Sequence, residues 1–229
     1  MKNKYTTLLL VIAAIITIFL ARAVMASVIP APRTFEIFDI LAVAGASLVL
    51  LKSHRHLRRG DWTTALILGA VIVHDNIGQA WVRGLFTFLA TLGGLAIMGQ
   101  GGPVQLHAAN GNWKGMSRGI LIGFFVGLPL AVFNVFALQF TQRQPIQWQH
   151  PPSALLDALQ PGITEEVIYR FATWGLLWLV LRNDLPTQAV WVTGLLVTLI
   201  HGYAHFDDLF LQSPLTALGM GAIITLSWG

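Results

Sequence analysis

The 229-residue sequence contains no cysteine, which removes disulfides, thiolate nucleophiles and cysteine-based zinc sites together. Charge is scarce as well. Asp, Glu, Lys and Arg make up 10% of the chain, against about 25% in soluble domains. In their place stand 55% hydrophobic residues and 22 glycines. That is roughly 65% of the chain, where globular proteins have about 45–50%. Too little polar surface remains to clothe a water-soluble globule of this size. A cytosolic α/β enzyme, a disordered tail and a nucleic-acid module are excluded. The composition is that of an all-α, polytopic integral membrane protein.

The net charge of +4 and pI of 9.9 fit that class without any nucleic-acid partner. Lys and Arg of a membrane chain collect in short cytoplasmic loops. The densest basic cluster here is Lys52, His54, Arg55, His56, Arg58 and Arg59. It is therefore predicted to be cytoplasmic, with the N-terminus on the same side.

The first apolar run, Leu8–Leu20, follows Lys2 and Lys4 and precedes the small residues Ala21, Ala23 and Ala26. It has the form of a signal peptide and of a first spanning helix; the membranous remainder of the chain favours the helix. Further spans are predicted at Phe35–Leu51, Gly119–Phe140, Ile163–Leu181 and Thr187–Tyr203, with another beginning at Leu209. The stretch Trp62–Val82 is interrupted by His74, Asp75, Asn76 and Gln79, and Leu85–Met98 is apolar and glycine-rich. The expectation is a single helical bundle of seven or eight spans, with N-terminal helices over 1–152 and a distinct functional region over 153–229.

Ionisable groups inside spans are costly, so each is a candidate functional residue. The sharpest cluster is Glu165-Glu166-Val-Ile-Tyr169-Arg170, just after Pro161-Gly162. At 3.6 residues per turn, Glu165, Glu166, Tyr169, Arg170 and Thr173 share an arc of roughly 140°. Glu166 and Arg170 have the i,i+4 order that favours a helical ion pair. Glu165 has Tyr169 at i+4 instead, and is the carboxylate left for general-base work. The alternative reading is an ion-paired helix that only fixes packing. On the next span, His201 and His205 also lie i,i+4 and are followed by Asp207 and Asp208. Their spacing is that of a zinc-binding helix, but Gly202 stands where the glutamate of that motif belongs.

Residues 161–170 resemble the EExxxR motif of the CPBP (CAAX-protease and bacteriocin-processing, or ABI) family of intramembrane proteases, which includes the Rce1-type CAAX prenyl endopeptidases. A histidine on the following helix, ending an FxxxH pattern in that family, matches His201 or His205, with His201 preferred and the Phe absent from both. The resemblance spans about 153–229. It implies a glutamic endopeptidase without a cofactor, in which Glu165 activates water, His201 or His205 assists, and Glu166 with Arg170 forms a structural pair. The implied setting is a membrane, expected to be a bacterial inner membrane, with lipids and a peptide or membrane-protein substrate as partners. The family's later histidine and asparagine find no counterpart before Gly229. Either the sequence is a fragment or the protein works without catalysis, and this 229-residue chain is expected to be inert. Two other readings remain. One is a zinc metalloprotease using His201, His205 and a carboxylate. The other is a non-catalytic immunity or scaffold protein.

Overall fold

The computed structural model describes residues 4–28, 31–73, 80–107, 109–142, 161–204 and a few positions beyond them. The described residues are helical, without strands. The helices are α1 (Lys4–Val28), α2 (Ala31–Ser53), α3 (Arg59–Ile72), α4 (Ala80–Met98) and α5 (Trp113–Gln142). They are followed by α6 (residues 161–181) and α7 (Ala189–Ala204). The chain divides into two compact units, Met1–Gln105 with Gly162–Gly229, and Leu106–Pro161. The second unit holds α5, a 30-residue helix with Pro129 inside it and an exposed apolar surface that includes Phe124 and Phe125.

Among the described residues, two helices are long and apolar enough to cross a membrane, at Tyr5–Met25 and Ala80–Met98, and Ala189–Gly202 is a shorter apolar helix. The expected seven or eight spans are not reached by this measure among the described residues. The stretch Trp62–Val82 is not one helix. α3 ends at Ile72, where the Val73 N–H closes onto the Ala70 carbonyl, and α4 starts at Ala80. His74–Gln79 lie outside the described residues, as do most of 141–160 and the segment from 205 onward.

Within the first unit the pairings of small residues fix helix direction. Ala46 of α2 meets Gly93 of α4, and Gly45 of α2 meets Leu176 of α6. Gly94 and Ile97 of α4 meet Phe171 and Gly175 of α6. Residue numbers rise together from Gly94–Phe171 to Ile97–Gly175 and from Ala46–Gly93 to Ser53–Gln100, so α2, α4 and α6 run parallel. α3 runs against α4, with Gly69 on Gly84 and Trp62 near Phe88. α7 runs against α6, with the Trp174 indole donating to Thr193 Oγ1 at 3.0 Å. Without water to squeeze out between helices, such contacts depend on close backbone approach. Gly93 is the tightest case, since a Cβ there would stand 2.7 Å from the Ala46 carbonyl oxygen.

The core of this unit is Ala42, Val43 and Ala46 of α2, Ala90 of α4, Val167, Ile168, Tyr169 and Ala172 of α6, and Val197 of α7. One end of the unit is closed by polar links between loops. Gln100 Nε2 donates to Ser53 Oγ at 3.2 Å, and Arg182 Nη1 reaches the Gln100 carbonyl at 3.4 Å. Lys52, Arg55, Arg58, Arg59 and Arg182 all belong to this end. The starts of α2, α4 and α6 and the close of α7 therefore meet at the other end.

Candidate active site

At that second end the chemistry-bearing side chains converge. α6 is not uniformly α-helical: Glu166–Thr173 is wound as a π-helix, and Thr173 Oγ1 donates to the Ile168 carbonyl five residues back at 2.7 Å. Such wider turns are rare and recur at functional sites. The winding separates the polar face that a regular helix would hold together. Tyr169 turns into the core and is 2% exposed, together with Val167, Ile168 and Phe171. Glu165 stays at the rim of the core.

His201, from the end of α7, packs against this segment. Its Nε2 lies 3.1 Å from Glu165 Oε2. The two partners are unequally covered, with the histidine side chain 7% and the glutamate side chain 31% exposed. The imidazole is thus the enclosed member and the carboxylate the accessible one. The Tyr169 ring stacks on His201 with centroids 4.7 Å apart and planes inclined by 22°. A carboxylate held by a ring N–H and open on its other side can accept a proton from a small molecule in the opening.

Glu166 and Arg170 form an ion pair of 3.0 Å between Oε1 and Nη1, but the side chains are 54% and 39% exposed. The pair is accessible, not enclosed in the low-dielectric interior that the sequence pattern suggested. The reason is the π-turn, which carries Tyr169 inward and leaves Glu166 and Arg170 outside. His205, Asp207 and Asp208 lie outside the described residues. Among the described residues no group of three or more His, Asp or Glu side chains is placed to hold a metal ion.

One participant escaped the sequence reading. Asp39 of α2 faces this cluster. Tyr169, Arg83, Glu165 and Glu36 lie within electrostatic range of its carboxylate. The signal was available, because Asp39 is an acid inside a run otherwise read as an apolar span, and intramembrane acids are candidate functional residues by default.

No curated protein and no solved structure matches the chain. A family model does, the type II CAAX prenyl endopeptidase Rce1-like model, over residues 147–228. The matched region contains the Glu165–Arg170 segment and His201, the same residues that the fold brings together. Rce1-like proteins are membrane-embedded peptidases, and residues 147–228 of this chain are similar to that family.

Proposed function

We propose that the protein is an intramembrane endopeptidase in which Glu165 is the general base and His201 its partner. The observation that carries this reading is the 3.1 Å contact between His201 Nε2 and Glu165 Oε2 with the carboxylate as the accessible member. A water held at Glu165 gives up a proton to the carboxylate as its oxygen attacks the substrate carbonyl carbon. The tetrahedral oxyanion then collapses, the C–N bond breaks, and the proton stored on the Glu165–His201 pair passes to the leaving amine. One water is consumed, and one acid and one amine are produced. Exclusion of bulk water strengthens each of these interactions. Glu166 and Arg170 stay outside the reaction and hold the first turns of α6 together.

The membrane geometry supports a direction of access. The basic end of the first unit carries Lys52, Arg55, Arg58, Arg59 and Arg182, whereas Arg33, Arg83 and Arg170 stand towards the starts of α2, α4 and α6. The positive-inside rule assigns the basic end to the cytoplasm, so the Glu165 site opens towards the opposite face. Substrates are peptide segments reached at that depth, with prenylated C-terminal peptides the first class to try.

The test is cleavage of an internally quenched, farnesylated CAAX-type peptide by the protein reconstituted in vesicles. On this reading, and against the expectation of an inert chain drawn from the missing later histidine and asparagine, wild-type protein cleaves it, a chelator leaves the rate unchanged, and Glu165→Gln loses the activity. Loss of activity to a chelator, restored by zinc, would replace the glutamic mechanism with a metal-dependent one.

A further inference from the structure

The imidazole of His201 is held at two places by one turn of α6. Its edge meets Glu165, with Nε2 3.1 Å from Oε2. Its face meets Tyr169, four residues further along the same helix, with ring centroids 4.7 Å apart and planes inclined by 22°. Both residues are enclosed, Tyr169 at 2% and His201 at 6% exposure, so contacts with protein rather than water set the orientation of the imidazole. Proton transfer at the pair uses the edge contact alone. The face contact has no part in it.

A hydrogen bond at Nε2 fixes one point of the ring. It leaves the ring plane able to turn, because χ2 of histidine is a broad torsion without sharp wells. A flat partner at stacking distance stops that motion, since a turned imidazole would run into it. His201 depends on such a partner more than a mid-helix residue would. It stands in the last turn of α7, which ends at Ala204, and helix ends fray. Tyr169 is placed to serve. Its ring belongs to the buried cluster with Val43, Ala46, Ala90 and Val197, and Val197 lies one turn before His201 on α7. The wide turn that carries Tyr169 inward is closed by the 2.7 Å bond from Thr173 Oγ1 to the Ile168 carbonyl. We propose that Tyr169 is a positioning residue, whose ring, seated by the π-winding of α6, holds the plane of the His201 imidazole so that Nε2 stays aimed at Glu165. This inference rests on the function proposed above for what the pair does, but the placement of His201 can be read without any substrate.

The experiment uses the full chain in lipid nanodiscs with 15N-labelled imidazole, and assigns the His201 signals by their disappearance in His201→Gln. Spectra are compared on the high-pH plateau, where the imidazole is neutral and one ring nitrogen carries the proton. Which nitrogen that is follows from the hydrogen bonds the ring makes. Wild-type His201 should hold its proton on Nε2, facing Glu165. Glu165→Ala removes the acceptor and marks the distribution between Nε2 and Nδ1 in an unheld ring. Tyr169→Leu is expected to move His201 towards that distribution. Tyr169→Phe, which keeps the ring and loses the hydroxyl, should leave the proton on Nε2. A wild-type proton position in Tyr169→Leu, or the unheld distribution in Tyr169→Phe or in the wild-type protein, overturns the proposal. Tyr169→Met takes the place of a leucine variant that does not accumulate, and where neither does, Tyr169→Phe decides the matter alone.

On the quenched peptide, kcat of Tyr169→Leu should fall by about 10- to 100-fold, the scale of a misplacement of about 1 Å, with KM unchanged. Tyr169→Phe should restore most of the wild-type kcat. A raised KM with kcat intact in Tyr169→Leu, or an equal loss of kcat in both variants, overturns the positioning role of the ring. If wild-type protein cleaves nothing, the endopeptidase reading fails, and the His201 nitrogen signals still test the placement.

Discussion

Replacing Glu165 with glutamine separates chemistry from structure at this site. The amide has the size of the carboxylate, and its oxygen can still accept the His201 N–H that now spans 3.1 Å. What it loses is the capacity to take a proton from water. Removal of a general base typically costs about 10²–10⁴ in rate, or about 2.7–5.4 kcal/mol of barrier at 1.36 kcal/mol per tenfold. The structural effect is far smaller. A hydrogen bond to a charged group contributes about 1.5–3 kcal/mol and a neutral one about 0.5–1.5. Because Glu165 is 31% exposed, solvent reduces that difference further, to about 1 kcal/mol or less. Domain stabilities of about 5–15 kcal/mol absorb such a change. The variant should therefore elute from size-exclusion chromatography and melt as wild type does, while cleaving the quenched peptide at least 100-fold more slowly. Folded Glu165→Gln protein with more than about a tenth of the wild-type rate would refute the assignment of the base.

The accessible position of Glu166 and Arg170 predicts that Arg170→Ala lowers stability by only about 0.3–0.5 kcal/mol, as for exposed i,i+4 pairs. Denaturation in detergent reads this, and a loss of about 3–5 kcal/mol would indicate an enclosed pair instead. Gly93→Ala should destabilise by about 1–3 kcal/mol through overpacking, because its Cβ meets the Ala46 backbone; a neutral result in the same assay would contradict the close α2–α4 approach. Alanine at His201 should cost more peptidase activity than alanine at His205, measured on one substrate, and the reverse order would transfer the assisting role to His205. Single cysteines at His54 and Asn183 should label from the cytoplasmic side and one at Gly162 from the other, with no background from native thiols. Labelling of all three from one side would reverse the proposed access to the site.

Much of the site was legible because its signals are local. Charge inside apolar runs is costly, so Glu165, Glu166, Arg170 and His201 stood out by residue type alone, and i,i+4 spacing paired Glu166 with Arg170. Composition likewise led to a helical chain, since the backbone of an apolar span must satisfy its own hydrogen bonds. Asp39 was equally visible by type, but nothing in its neighbourhood on the chain connects it to residues 126 or more positions away.

The sequence by itself determined the helical class, the membrane character of its composition and the residue types that can do acid–base chemistry. Only the tertiary structure decided that α6 winds as a π-helix, because that winding depends on how Tyr169, Ile168 and Phe171 fit between α2, α4 and α7. It likewise decided that His201 meets Glu165, that the Glu166–Arg170 pair stays accessible, and that Asp39 joins the cluster. These are consequences of how separate helices pack side by side. Period and spacing along one helix carry no information about which residues of another will stand opposite.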